Sequence, residues 1–228
     1  MKKLVVLTGA GISAESGIKT FRDSNGLWEE YDVQKVASID GWYEDPALVL
    51  EFYNARRQQL AHAQPNEAHR ILSELQAFFN VQIITQNVDN LHERSGSRNV
   101  LHLHGELTKV CSVNNKNLIT DIGYSDIHIG DKAADGAQLR PFIVWFGEAV
   151  PKMEEAISII EEAAIFLVIG TSLNVYPAAG LVNYTPQTIP LFLIDPNEVE
   201  FHHPRLIVFQ EKASTGMEKM REILMKLI

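Results

Sequence analysis

Short apolar runs that stop at small or polar residues constrain the fold of this chain more than any other feature. Residues 4–7, 81–85 and 165–169 are such runs, and they are followed by TGAG, QNV and GTS. Short runs of this kind are typical of strands that are buried on both faces of a parallel sheet. Helical patterns over residues 46–62 and 153–164 lie between them, so the sequence predicts an α/β fold with helices on both faces of a parallel sheet.

The same patterns predict further elements along the chain. Residues 100–103 and 190–194 are predicted strands, and residues 13–19 and 215–228 are predicted helices. Residues 66–79 are predicted to form an amphipathic helix with a buried stripe of Ala68, Ile71, Leu72, Leu75 and Phe78.

Composition limits the classes of function. The chain has 228 residues, a formal net charge of −9 and a sequence pI of about 5.4. This acidity argues against nucleic acid as a partner, because phosphate binding needs a basic surface. No apolar stretch is long enough to cross a membrane, and the one cysteine, Cys111, cannot form a disulfide within the chain. We therefore expect a cytoplasmic protein without a membrane partner.

Residues 9–13 follow the first predicted strand and precede a predicted helix. Their sequence, GAGIS, is similar to glycine-rich turns whose backbone approaches a pyrophosphate closely. By itself the pattern is equally typical of a tight structural turn. Thr20, Phe21 and Arg22 follow in a segment that suits closure over a nucleotide, with an ordinary surface loop as the alternative.

Polar clusters also follow the later strands. Residues 86–90, QNVDN, suit the binding of ribose hydroxyls and a carboxamide, or serve only as turn and helix-capping residues. His102 and His104 lie on one face of an extended segment, where a histidine can act as a general base. A structural role and a metal pair are the alternatives. Because parallel strands end at one edge of a sheet, we expect these clusters to meet residues 170–172 in one crevice.

Taken in order, these segments resemble the sirtuin family of NAD-dependent protein deacylases. The matching pieces are GAGISAESGI at 9–18, TFR at 20–22, QNVD at 86–89, HG at 104–105, FGE at 146–148 and GTS at 170–172. The resemblance implies a large Rossmann-like domain and a small second domain, with NAD and an acyl-lysine substrate in the cleft between them. The large domain would comprise about residues 1–30, 80–108 and 142–228, and the small domain about residues 31–79 and 109–141.

The resemblance also implies the roles of individual residues. His104 is the expected catalytic base, Asn87 and Asp89 are expected to orient the ribose and the carboxamide, and His102 is a structural neighbour. NAD is expected to be consumed as a co-substrate, with release of nicotinamide. The expected NAD-binding residues are Gly9, Ala10, Gly11, Ser13, Thr20, Phe21, Arg22, Trp28, Gln86, Asn87, Val88, Asp89, Gly170, Thr171, Ser172, Asp195, Asn197 and Ala213.

One branch of the family prefers negatively charged acyl groups, and this chain resembles it. Tyr53 and Arg56 are three residues apart on a predicted helix, so both can reach one carboxylate, and Ala37 leaves room for a longer acyl chain. The alternatives are core packing for Tyr53 and a solvated charge for Arg56. The branch implies removal of succinyl, malonyl and acetyl groups. The segment expected to bind the substrate peptide as an added strand comprises Val144, Phe146, Gly147 and Glu148.

The main departure from the family concerns zinc. Most members hold a structural zinc ion with two pairs of cysteines, whereas this chain has only Cys111. Asp126, His128 and Asp131 follow it, but one thiolate with scattered oxygens is a poor zinc site. We therefore predict no zinc. Residues 110–141 are then expected to be a small, mobile insert of turns and weak strands that is held by its own packing.

Two other functions remain open from the sequence. Some zinc-poor relatives transfer ADP-ribose to proteins, so a protein mono-ADP-ribosyltransferase is one alternative, and a non-catalytic NAD-sensing module is the other. The intact QNVD segment and His104, together with Tyr53 and Arg56, favour deacylation. Nothing in the sequence points to a particular peptide motif or oligomeric state.

Overall fold

The structure is a computed structural model that describes residues 1–18, 31–171, 173, 176–199 and 203–228. The strands in these ranges are β1 Lys3–Thr8, β2 Asn80–Thr85, β3 Val100–His102, β4 Gly105–Ser112, β5 Ile119–Asp121, β6 Leu139–Ile143, β7 Ile165–Ile169, β8 Leu191–Ile194 and β9 Leu206–Phe209. The helices are α1 Gly11–Ala14, α2 Val33–Val36, α3 Ile39–Glu44, α4 Pro46–His62, α5 Glu67–Leu75, α6 Leu91–Arg94, α7 Met153–Glu161, a 3-10 helix Ala178–Tyr184 and α8 Ala213–Met225. None of the helices in the described part of the chain is long and apolar enough to cross a membrane.

Six strands form one parallel sheet in the order β3-β2-β1-β7-β8-β9. The central strand β1 aligns Val6 with Ile83 of β2 and with Leu167 of β7. Because all six strands run in the same direction, their carboxyl ends lie along one edge. The prediction of a Rossmann-like α/β fold is confirmed.

Successive side chains of β1 enter two different hydrophobic cores. Leu4 and Val6 pack with residues of α5 and α8 on one face of the sheet. Val5 and Leu7 pack with residues of α7 and the 3-10 helix on the other face. Since neighbouring residues of a strand point to opposite faces, an entirely apolar strand requires cover on both sides. This is the physical reason why residues 4–7 carry no polar side chain.

A second, antiparallel sheet has the strand order β5-β4-β6. It packs with α4 in a third core that includes Phe52, Leu107 and Trp145. The bounds of α4 agree with the predicted 46–62, because Pro46 occupies the first turn and the Asp45 side chain caps the helix by accepting the N–H of Leu48 at 3.0 Å. The second sheet extends from Gly105 to Ile143, so it begins before and ends beyond the predicted insert of residues 110–141. The predicted domain boundaries stay a prediction.

Three expectations about elements need correction. Phe78 is not part of the buried stripe: α5 ends at Leu75, and the following turns leave Phe78 46% exposed and bury Phe79 instead. The helix predicted over 13–19 is the shorter α1, which ends at Ala14. Strand β9 and the short helices α2 and α3 were not predicted, because each spans only four to six residues and shows no clear period.

Candidate active site

The turns that follow β1 and β7 pack directly against each other at the carboxyl edge of the sheet. The N–H of Gly11 donates to the carbonyl of Gly170 at 2.8 Å. A Cβ atom on Gly9 would lie 2.6 Å from the Cβ of Thr171, and one on Gly170 would lie 2.2 Å from the backbone nitrogen of Ile12. Small residues are therefore required at these positions by the contact between the two strand ends, independently of whether a ligand binds there.

A buried hydrogen-bond network joins the turn after β1 to the residues after β2. Ser13 Oγ donates to Asp89 Oδ2 at 2.9 Å, and Asn87 Nδ2 donates to Ser13 Oγ at 3.2 Å and to the carbonyl of Gly9 at 3.1 Å. Burial raises the pKa of Asp89, although hydrogen bonds from the Leu91 N–H and from Ser13 oppose this rise. The two predicted polar clusters thus meet, with the side chains of Asn87 and Asp89 held in one orientation.

His104 connects β3 to β4 and is half-buried. Its Nδ1 lies 3.0 Å from the carbonyl oxygen of Gln86, so Nδ1 carries the hydrogen and Nε2 keeps its lone pair. Burial lowers the pKa of His104 below its ordinary 6.5, against the opposing effect of the bond to Gln86. A neutral imidazole with this tautomer is the form that a general base requires.

Residues 144–148 pass between His104 and the segment that contains Ala37. The N–H of Val144 donates to the carbonyl of His104 at 2.9 Å. The N–H of Phe146 donates to the carbonyl of Ala37 at 2.9 Å, and the carbonyl of Phe146 accepts the N–H of Ile39 at 3.0 Å. Both backbone groups of Phe146 and the N–H of Val144 are already bonded, so the predicted pairing with a substrate peptide stays a prediction for the carbonyl of Val144 and for Gly147.

The carboxylate of Glu148 has a structural partner. Arg140 binds it through two nitrogens, at 2.8 and 3.0 Å, and Lys116 Nζ lies 2.6 Å from Oε1. The backbone N–H of Trp145 also donates to it, at 2.9 Å. Burial alone would raise the pKa of Glu148, but these donors and cations lower it to about 2. The Glu148 side chain is therefore engaged within the protein, and its backbone N–H donates to the carbonyl of Trp145 at 3.0 Å, so the predicted contact of Glu148 with a peptide stays a prediction.

Tyr53 lies next to Trp145, which was not among the predicted site residues, and Arg56 lies next to Tyr53. Tyr53 is buried, and its Oη accepts a hydrogen bond from Trp145 Nε1 at 2.9 Å. The Arg56 Cζ atom lies 5.8 Å from the centre of the Tyr53 ring. Burial lowers the pKa of Arg56, while Tyr53 and the charge of Asp89 oppose this effect. The signal for Trp145 was available, because a tryptophan in an apolar segment needs a partner for its indole N–H.

The other predicted NAD residues follow β7 and β8 or begin α8. Thr171 Oγ1 accepts a hydrogen bond from Gln86 Nε2 at 3.3 Å, and Asp195 Oδ1 accepts the N–H of Asn197 at 2.9 Å. Ala213 is the first residue of α8 and is buried. Five predicted residues lie outside the described ranges: Thr20, Phe21, Arg22, Trp28 and Ser172.

Val88 connects the segment after β2 to the second sheet, because its carbonyl accepts the N–H of Leu107 at 2.7 Å.

In the second sheet, Cys111 is buried in β4, and burial raises the pKa of its thiol, which opposes formation of the thiolate that zinc binds. Among the described residues, no three His, Cys, Asp or Glu side chains are grouped as a metal site. The lack of zinc stays a prediction.

Comparison with known proteins identifies the family. The profile described as the Sir2 family matches residues 9–177. This chain belongs to the Sir2 family. Two proteins named NAD-dependent protein deacylase are similar to this Sir2 chain over nearly their whole lengths. The protein of Bacteroides thetaiotaomicron is 57% identical, with 98% of each chain covered, and that of Helicobacter pylori is 51% identical, with 100% of this chain and 98% of the relative covered.

A solved structure of a Sir2 homologue in complex with NAD is also similar to this Sir2 chain. It is 38% identical and has a TM-score of 0.88, with 99% of this chain and 90% of that chain covered. The polar groups at the sheet edge suit NAD, because the side chains of Ser13, Asn87 and Asp89 offer the donors and acceptors that ribose hydroxyls and a carboxamide require. The family prediction is confirmed, and the residue roles stay predictions.

Proposed function

We propose that this protein removes succinyl and malonyl groups from lysine side chains of proteins, with acetyl groups as slower substrates. The coarser activity, NAD-dependent protein deacylation, is supported by the Sir2 family match and by relatives that are 50–57% identical. The observation that carries the finer proposal is the contact between Tyr53 and Trp145. We also propose that it works in the cytoplasm, since a lone cysteine suits a reducing compartment.

The Tyr53 hydroxyl is set up to donate a hydrogen bond. Trp145 Nε1 is a donor only, so at 2.9 Å it must give its hydrogen to the Tyr53 oxygen. The proton of Tyr53 then points away from Trp145. Burial raises the pKa of Tyr53, although Arg56 and the bond from Trp145 oppose the rise, so the hydroxyl keeps this proton at neutral pH. A buried donor of this kind favours an acceptor on the substrate, such as the carboxylate of a succinyl group.

Arg56 supplies the positive charge for the same carboxylate. Its position one turn after Tyr53 on α4 places both side chains on the same face, and the guanidinium is adjacent to the Tyr53 ring. A guanidinium can bind a carboxylate through two parallel hydrogen bonds, which distinguishes an acid-ended acyl chain from an acetyl group. Ala37, which is small and buried nearby at the Phe146 contact, leaves space for the longer chain.

His104 is proposed to take the proton that the reaction releases. Its Nδ1 is engaged by Gln86, so Nε2 is the atom that accepts the proton. Bound NAD would supply the ribose that receives the acyl group and nicotinamide as the leaving group. Asn87 and Asp89 would orient that ribose, because Ser13 fixes both side chains. A water molecule would complete the reaction by releasing the lysine amine, and the products would be the unmodified lysine, nicotinamide and 2′-O-acyl-ADP-ribose.

A panel of succinyl, malonyl and acetyl peptides, incubated with NAD and measured by mass spectrometry, tests this proposal. We expect the succinyl and malonyl peptides to be deacylated faster than the acetyl peptide. Arg56→Met should reduce kcat/KM for the succinyl peptide by about 100-fold, because a buried charge-assisted contact of about 3 kcal/mol is lost. The acetyl peptide, which has no carboxylate, should lose less than threefold by the same reasoning.

Arg70→Met is the matched control, since Arg70 is exposed on α5 and pairs only with nearby groups of its own segment. Equal losses on the succinyl and acetyl peptides in the Arg56 variant would show that Arg56 is structural. Peptides that stay acylated while the protein itself gains ADP-ribose would instead support the transferase alternative.

A further inference from the structure

His102 makes two hydrogen-bond contacts that the proposed chemistry does not use. It is buried at the end of β3, with its Nδ1 3.0 Å from the carbonyl oxygen of Asn87. On the other side of the ring, Nε2 lies 2.8 Å from Glu93 Oε1. Glu93 belongs to the short helix α6, so the ring of His102 connects this helix to the backbone of Asn87.

Counting protons defines the state of His102. A carbonyl oxygen and a carboxylate are both acceptors, so each nitrogen of the ring must be a donor. A neutral imidazole has only one N–H, whereas an imidazolium has two. A positively charged His102 beside a negative Glu93 satisfies both contacts, in contrast to the neutral His104 two residues later.

The charged groups around His102 agree with this state. Burial alone would lower the pKa of His102, but the bond and charge of Glu93, with Glu106 of β4, raise it above 6.5. The cation in turn lowers the pKa of Glu93, which Lys109 lowers further. Among the described residues, the other ionisable neighbours are Asp89, where the His102 charge opposes the rise in pKa that burial causes, and His92, whose own pKa is far below 6.5 because it is buried.

The contacts of His102 form a closed circuit of hydrogen bonds with residues 86–89, the segment after β2 that is proposed to bind NAD. Asp89 Oδ1 accepts the N–H of Leu91, the first residue of α6, at 3.1 Å. Helix α6 leads to Glu93, Glu93 binds His102, and His102 binds the carbonyl of Asn87, two residues before Asp89. The carbonyl of the preceding Gln86 is bound by His104. Two histidines with different charge states, one positive and one neutral, thus bind two consecutive carbonyls of the segment after β2.

We propose that His102, held as an imidazolium by Glu93, is a positioning residue that fixes Asn87 and Asp89 for binding of the nicotinamide ribose. This inference rests on the proposed function, because it takes Asn87 and Asp89 as NAD-binding residues. His102 itself stays outside the reaction, since both of its nitrogens are used within the protein. Its effect is expected on NAD affinity and on the pH dependence of that affinity.

A matched pair of variants separates positioning from general stability. The amide nitrogen of Asn takes the place of imidazole Nδ1, and that of Gln takes the place of Nε2. His102→Asn therefore keeps the donor to Asn87, whereas His102→Gln keeps only the donor to Glu93. We expect the dissociation constant of NAD, measured by calorimetry without peptide, to rise about tenfold in His102→Gln and less than threefold in His102→Asn. His62→Gln, an exposed histidine at the end of α4, should leave it unchanged.

Glu93→Gln tests the charge of His102. Without the carboxylate, His102 should lose its second proton at lower pH, so the high-pH decline in NAD affinity should begin about one pH unit lower than in the wild type. Equal effects of the Asn and Gln variants, or an unshifted pH profile in Glu93→Gln, would overturn the inference. A wild-type protein that binds no NAD would instead overturn the proposed function, so the two failures are distinguishable.

Discussion

At the scale of the residue, the surroundings of each histidine decide what it can do. His102 and His104 are two positions apart, and each binds a backbone carbonyl through Nδ1. They differ at Nε2, which faces Glu93 in His102, whereas no carboxylate of the described residues contributes to the pKa of His104, which burial lowers. We therefore propose that the same residue type is a structural cation at one position and a neutral base at the other.

His104 should control the acid side of the pH profile. Because burial lowers the pKa of His104, the base form is present above that lowered value and is lost as the pH falls through it. We expect the midpoint of the acid-side decline in kcat/KM to lie below pH 6.5. Values of kcat/KM from initial rates at subsaturating peptide between pH 5 and 9 check this expectation. A half-maximal rate above pH 6.5 would contradict it, and His104→Ala should bind NAD but turn over at least 100-fold more slowly.

At the scale of the element, the sheet edge depends on two turns that touch through glycines. Gly170 has φ +63°, and no L side chain fits at this position without displacing the backbone of Ile12. The contact aligns the end of β7 with the end of β1 and thereby brings Thr171 to Gln86. The positions of the site residues consequently depend on where strands β1, β2 and β7 end, and not only on the individual side chains.

Gly170→Ala should destabilise this edge. The left-handed backbone and the 2.2 Å approach to the Ile12 nitrogen predict a loss of about 2–5 kcal/mol in the free energy of unfolding. Urea unfolding measures this loss, and NAD affinity should fall with it. Gly180→Ala is the control, because a Cβ there has its nearest neighbour at 3.9 Å. Similar stability of the two variants would show that the turn adjusts easily.

At the scale of the whole molecule, polar contacts join the second sheet to the rest of the chain. Arg140 of β6 binds Glu148 and also lies 3.6 Å from the centre of the Trp145 ring. Arg57 of α4 is fully buried and donates to the carbonyl of Leu107 at 3.0 Å, and the low-polarity surroundings lower its pKa to about 10. Such contacts are an alternative to metal ligands as a means of holding a small sheet in place.

The Arg140–Glu148 pair should make stability depend on pH. The pKa of Glu148 is about 2 in the folded protein and about 4.5 ordinarily, so the pair stabilises the fold above pH 4.5 and this contribution is lost as the pH falls towards 2. Glu148→Gln should cost about 3–5 kcal/mol at pH 7, because it leaves Arg140 buried without its counter-charge. Urea unfolding at several pH values measures both effects. The exposed Glu218→Gln should change neither.

Metal analysis of the purified protein tests the predicted lack of zinc. We expect less than a tenth of an equivalent of zinc per chain, and no change in melting temperature with a chelator, because the lone thiol of Cys111 is buried and protonated. One equivalent of zinc, or a chelator-dependent loss of stability, would refute this prediction.

The sequence was most informative where one local pattern has one structural solution. The run 165–169 became β7 with the same bounds, and Pro46 marked the start of α4 correctly. It was less informative where the outcome depended on the end of an element. The side chain of Phe78 fits the helical period of α5, but the helix ends before it, so Phe79 is buried instead. Periodicity describes a helix, and only packing decides where it stops.

The sequence by itself determined the parallel α/β fold, the order of the polar clusters along the chain and the family resemblance, because apolar periodicity and motif spacing are local properties. Only the tertiary structure decided which atoms of these clusters face each other. It directed the hydrogen of Trp145 to Tyr53, used the Glu148 carboxylate for Arg140 and made His102 a donor on both sides. Proton positions and charge states depend on contacts between residues of different elements, and only folding brings those atoms together.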